Sequence, residues 1–85
     1  MTKEVPLIFQ TLTNELYTIL IDLNNDKIES DVKRKLGDEM GLSIDEIRLN
    51  YRGKGIYGDD RVLADYNVQP NTVVHVITKI GGPSD

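Results

Sequence analysis

Four apolar residues, Ile28, Val32, Leu36 and Met40, recur at intervals of four between two stretches whose apolar residues alternate by two. The interval of four predicts one amphipathic helix with a single buried stripe, and the alternation on either side predicts strands. With no second helix of that kind in the chain, the stripe must be covered by a sheet. This pattern predicts an α+β domain in which one helix lies across one face of one sheet.

Leu7-Ile8-Phe9-Gln10-Thr11 and Leu16-Tyr17-Thr18-Ile19-Leu20-Ile21 flank a turn at Thr13-Asn14-Glu15 and read as a hairpin. Leu7 and Phe9 share one face of the first strand, Tyr17, Ile19 and Ile21 one face of the second, and Asn14 suits a positive φ. Asp22 to Asp26 breaks the strand, Asp26 and Glu29 match a capping box, and Gly41 supplies a left-handed stop. Gly37 inside the helix costs roughly 1 kcal/mol relative to alanine. After a linker at Leu42 to Glu46, Ile47 to Arg52 alternates into a turn at Gly53-Lys54-Gly55 and a short strand near Ile56. Leu63 to Tyr66 reads as one helical turn, and Thr72 to Ile80 as a long strand. The order is ββαββ, with the last strand beside the first and Val74 and Val76 facing Leu7, Phe9 and the helix stripe. The expected boundaries are an N-terminal tail at 1–5, a folded domain at 6–80 and a tail at 81–85.

A chain of 85 residues builds one modest core. It has no cysteine, hence no disulfide, thiolate zinc site or thiol nucleophile, and a reducing compartment suits it. Lys3 and Glu4 interrupt the N-terminal segment before any signal peptide or membrane span can form. The net charge of −4 argues against a nucleic-acid binder, and Lys33-Arg34-Lys35 reads as a solvated helix face. His75 has no second histidine or cysteine to share a metal and no nucleophile to activate. The string from Asp22 starts like a calcium loop, but Lys27 stands where glycine is needed and Lys33 where glutamate is needed. Asp59 and Asp60 read as a solvated pair. The expectation is a monomeric cytoplasmic protein, or a nuclear one in a eukaryote, with no cofactor, metal, membrane or nucleic-acid partner.

Several strings then bring in a family. Thr11-Leu12-Thr13, Val32-Lys33-Arg34-Lys35-Leu36, Arg48-Leu49 before Tyr51, Gly53-Lys54, the run Leu63 to Gln69, His75 and the Gly81-Gly82 pair occur in the order in which ubiquitin carries similar residues. From about Leu7 to Gly82 the chain resembles the ubiquitin-like proteins, which implies a β-grasp fold and a role as something bound or attached rather than as an enzyme. The resemblance implies that Gly82 becomes an acyl group, activated with ATP by a partner enzyme and passed through a conjugating enzyme to a target amine. Two glycines without side chains let such a tail thread a narrow channel. It also implies a partner-binding face at Leu12, Arg48, Asn50, His75, Ile77 and Lys79, and chain-linkage lysines at Lys54, Lys33 and Lys35. Tyr66 is expected to pack and bond to backbone, as its family counterpart does.

The chain departs from the family pattern in three places. Pro83-Ser84-Asp85 follow Gly82, so a protease must cut between Gly82 and Pro83, where proline's tertiary amide is an awkward leaving group. The tail is one residue shorter and lacks a recognition arginine. Asn50 stands where the family's binding face has a central isoleucine, removing roughly 2 kcal/mol of burial from any complex that fills it. The leading expectation is a ubiquitin-like modifier precursor served by activating and conjugating enzymes, a processing protease, targets and receptors. The alternatives are a non-conjugated interaction domain of an adaptor and, third, a sulfur carrier.

Overall fold

The computed structural model describes residues 3–78. Strands β1 (Val5–Gln10), β2 (Leu16–Ile21), β3 (Ile47–Tyr51), β4 (Lys54–Ile56) and β5 (Val73–Thr78) form one sheet in the order β2-β1-β5-β3-β4. The central pair, β1 and β5, is parallel, and the other pairs are antiparallel. A helix begins with a wide turn at Ile28–Val32 and continues as α1 (Lys33–Met40). The periodicities predict one sheet with one helix across one face, and that is the arrangement found, with the mixed strand directions of the β-grasp fold that the resemblance implies.

Alternation decides which face is covered. Leu7, Phe9, Ile19, Ile21, Ile47, Leu49, Tyr51, Val74 and Val76 point inward and are buried, and they meet Ile28, Val32 and Leu36 from the helix. Each fully buried aliphatic or aromatic side chain contributes about 1.5–3 kcal/mol, so this layer dominates the favourable side of folding. Met40, the last residue of the stripe, packs at the margin rather than inside.

Turn chemistry sets the registers. Asn14 takes φ 65° between β1 and β2, while Arg52 and Gly53 take 54° and 79° in the two-residue turn between β3 and β4. Two successive left-handed residues match the twist of a tight hairpin, and at the second of them glycine adopts that conformation without a Cβ penalty.

The helix start differs from the expected capping box. Asp26 does not cap with Glu29; its carboxylate accepts the Asp22 N–H at 2.9 Å. Lys27 is the residue before the first turn, and its N–H is taken by Asp31 at 3.0 Å. The first turn is wide, with the Val32 N–H donating to Lys27 C=O five residues back at 2.9 Å. That extra residue per turn brings Asp31 round to the capping position and leaves Glu29 to bond elsewhere.

Gly37 also departs from expectation. It is buried, and a Cβ there would stand 2.5 Å from the Leu42 carbonyl oxygen. Gly41, at φ 73°, ends the helix, and the N–H groups of Gly41 and Leu42 both donate to Gly37 C=O at 2.7 and 3.0 Å. The chain thus folds back onto the helix where only glycine leaves room. The expected linker contains a further short turn, Ile44–Glu46, in which Glu46 accepts the N–H and hydroxyl of Ser43, both at 3.0 Å. Its Ser-x-x-Glu spacing was a legible cap signal.

The Asp22 string is a structural loop. Asp22 is 1% exposed and accepts the N–H groups of Asn24 and Asn25 and the Asn25 side-chain amide. The Asn25 amide, with these backbone donors, holds its carboxyl below the ordinary aspartate value against the opposing effect of burial. Its lone pairs are directed at these amides.

Candidate protein-binding face

With the helix on the inner face, the alternate residues of every strand point outward. On β5 these are Val73, His75 and Ile77, and on β3 they are Arg48 and Asn50. Asn50 pairs with His75 and Arg48 with Ile77 across the antiparallel β3–β5 ladder, while Gln10 flanks His75 from β1. Leu12, 74% exposed, lies in the turn that leaves β1 just beyond Gln10, and Ile77 is 39% exposed. The sheet therefore gathers Arg48, Asn50, His75 and Ile77 into one patch, with Leu12 on the turn at its border. Lys79, also expected on this face, lies outside the described residues, as do Gly81, Gly82 and Pro83 of the conjugation tail and its cleavage site.

The patch runs into a groove of about 540 Å³ where β4 ends and the chain leaves at Tyr57. Arg48, Asn50, Ile77 and Tyr57 line it, with Glu29 and Lys33 contributing from the helix side. Sequence reasoning missed Tyr57 and Glu29. Tyr57, 68% exposed directly before Gly58, was a legible surface aromatic. Glu29 was not legible, because its role follows from the wide first turn. It accepts the Lys33 ammonium at 2.8 Å and the Gly58 N–H at 3.1 Å, tying the helix to the loop after β4. Burial alone would raise the Glu29 carboxyl, but Lys33 and the Gly58 N–H outweigh it and hold it below the ordinary glutamate range.

The three candidate linkage lysines occupy different settings. Lys33 is 7% exposed and has its ammonium paired with Glu29. Lys35 spans Asp26 and Glu4 at 2.9 and 3.1 Å and also donates to Leu20 C=O. Burial opposes its charge, but those two carboxylates raise its ammonium above the ordinary value. Lys54 is exposed and stands 5.9 Å over the Tyr66 ring. The Tyr66 hydroxyl donates to Tyr57 C=O at 2.6 Å, the backbone bond its resemblance implies.

Chemically, the face offers an aliphatic side chain, an imidazole, an amide and a cation on rigid strands. Arg48 forms no ion pair among the described residues, and no cluster of three metal-ligating side chains occurs among them. Such an arrangement suits a protein surface with apolar and acidic groups. Among the described residues no helix is long and apolar enough to cross a membrane.

Comparison with known proteins agrees with this fold. Ubiquitin-like protein 4A from Rattus norvegicus and from Mus musculus are each 27% identical to this chain over 59 residues, covering 69% of this chain and 37% of the relative. The chain thus spans little more than a third of the length of the curated relatives it matches. The family model described as "Ubiquitin family" matches residues 7–80, from the start of the core in β1 to beyond the end of β5, and the chain belongs to the ubiquitin family.

Proposed function

We propose that this domain works as a non-catalytic ubiquitin-like recognition module, presenting the β3–β5 face to protein partners. The observation that carries the proposal is the alignment of Arg48, Asn50, His75 and Ile77 on the outer side of paired strands, beside a groove floored by the Glu29–Lys33 pair. A fixed backbone keeps the entropy cost of binding low, and Ile77 and Tyr57 supply apolar anchors. Asn50 at the centre replaces apolar burial with hydrogen-bonding demand, so favoured partners carry a polar group opposite it.

Gly81-Gly82 favours a second reading, in which the same domain is a modifier: a protease cuts before Pro83, an ATP-dependent enzyme activates Gly82, and the acyl group passes to a target amine. Lys54 is then the better-presented site for chain extension. One experiment separates the two readings. The tagged chain, and a version ending at Gly82, are incubated with ATP in lysate of the source organism, and intact masses and non-covalent partners are measured. Recognition alone predicts partners that are lost with Ile77→Asp and retained with an altered tail. The modifier reading predicts an adduct that needs ATP and Gly82. Partners indifferent to Ile77→Asp and Arg48→Glu would end the face assignment.

A further inference from the structure

The cations on the helix and its approach are paired: Lys27, Lys33, Arg34 and Lys35 each meet a carboxylate. Lys54 and Arg61 form no ion pair among the described residues, although acids outnumber bases by fourteen to ten in the chain. Both line a groove of about 630 Å³ formed by β4, the loop that follows it and the turn at Leu63–Tyr66. The fold holds them in place. The Arg61 N–H donates to Gly58 C=O at 3.1 Å, and the Arg61 C=O accepts the Ile28 N–H at 2.9 Å, so its backbone is tied on both sides. Its side chain lies against Gly58, where an added Cβ would collide with it. Lys54 lies 5.9 Å over the Tyr66 ring, which is itself anchored by its hydroxyl on Tyr57 C=O. Attraction to the ring face restrains the ammonium without neutralising it.

Three kinds of group meet along this groove. Lys54 and Arg61 supply positive charge, and Asp65 supplies an acceptor. Tyr57 supplies an exposed ring, which lies across Gly55 so closely that an added Cβ there would touch it at 3.7 Å. One Asp65 oxygen accepts the Val62 N–H at 3.0 Å, which leaves the other for a donor on a ligand. A simple anion would use the two cations and be repelled by Asp65. A molecule that joins a phosphate to a sugar and a planar base uses all three groups. The phosphate dianion pairs with guanidinium and ammonium, the base stacks on Tyr57, and a sugar hydroxyl donates to Asp65. The volume falls within the range of small-molecule sites, about 300–1,000 Å³. A nucleic-acid strand, by contrast, needs cations along successive phosphates, and Asp59 and Asp60 stand directly before Arg61.

We propose that this groove binds a nucleoside monophosphate, with Lys54 and Arg61 on the phosphate, Tyr57 against the base and Asp65 on the sugar. Tyr57 and Gly55 also line the groove beside the β3–β5 face, but the charges here come from other residues. The site does not rest on that face assignment.

The test titrates the full chain with adenosine monophosphate, followed by amide NMR, with adenosine and inorganic phosphate as separate arms. Saturable shifts are expected at Gly55, Gly58, Arg61 and Asp65, with little change at Leu16 and Val74, and with a Kd of about 1 mM or tighter. Adenosine should bind at least about tenfold more weakly, because it lacks the charge that the two cations meet. Arg61→Gln and Lys54→Gln should each weaken the nucleotide by about five- to tenfold. Tyr57→Leu should bring the nucleotide down to the affinity of inorganic phosphate and leave inorganic phosphate unchanged; the bond from Tyr66 is to backbone and survives it. If any variant fails to fold, salt replaces it: about 1 M sodium chloride should weaken the nucleotide and spare adenosine on the unaltered chain. Adenosine binding as tightly as the nucleotide, inorganic phosphate doing so, an oligonucleotide that shifts Arg48 and Arg52 in place of Arg61, or no saturable shift would each overturn the proposal.

Discussion

Replacing Gly37 with alanine sets two physical effects against each other. In an exposed helix interior the change stabilises by roughly 1 kcal/mol, since alanine loses less backbone entropy. Here the new methyl would lie 2.5 Å from the Leu42 carbonyl oxygen and 3.5 Å from Ile47 Cδ1. The oxygen belongs to backbone anchored by the Leu42 and Gly41 N–H groups on Gly37 C=O, so it cannot swing aside as a flexible side chain would. Overpacking costs about 1–3 kcal/mol, and a 2.5 Å contact with fixed backbone lies in the upper part of that range, about 2–3 kcal/mol. Opening the stop instead forfeits two amide hydrogen bonds at about 1 kcal/mol each. After subtracting the propensity gain, Gly37→Ala should destabilise by about 1–2 kcal/mol, lowering Tm by roughly 4–16 °C in a domain of this size. Urea unfolding followed by circular dichroism, with an unchanged slope, measures it. A variant with an unchanged or higher midpoint refutes the close approach of Leu42 to the helix.

Acid should destabilise the domain with a defined sign. Asp22, Glu29 and Glu46 are held below their ordinary values, so their contribution is complete above the unfolded carboxylate pKa and disappears as pH falls through the lower folded values. Urea midpoints should drop between about pH 5 and pH 2, and Glu29→Gln should flatten part of that slope. Lys33→Ala removes the partner of a largely enclosed carboxylate and should cost about 1–3 kcal/mol, read by thermal unfolding; a neutral result refutes a structural role for Lys33. Tyr51→Phe should leave the midpoint equal or higher, because the Tyr51 hydroxyl is enclosed near Thr72 and Gln69 without a well-formed hydrogen bond. Ile77→Asp should keep the fold, since Ile77 is half-exposed, and lose at least about tenfold in affinity for any partner of the β3–β5 face.

What was legible in the sequence follows from how local the causes are. Strand faces, the hairpin turn at Asn14 and the stop at Gly41 depend on residues within a few positions of one another, and the alternation around Leu7, Phe9, Val74 and Val76 placed the core. The adjacency of β1 and β5 followed because one sheet must cover one helix stripe. Glu29 and Lys33 were misread because the wide first turn rotates side chains by an amount that α-periodicity does not anticipate, and because Gly58, which bonds to Glu29, lies 29 residues away. Gly37 was misread although the Leu42 carbonyl is close in sequence, because the reversal at Gly41 rather than helix periodicity brings that carbonyl back.

The strand order separates two chemically different parts of the sheet surface. Because β1 and β5 are the parallel centre, the two ends of the sheet are separate edges, β2 at one and the short β4 at the other. Near β4, the surface is cationic and polar through Arg48, Asn50 and His75; near β2 it is aliphatic through Leu16 and Leu20, with acids alongside. The strand order thus keeps the cationic surface and the acidic edge at opposite ends of one sheet, so a single charge change at either end leaves the chemistry of the other untouched.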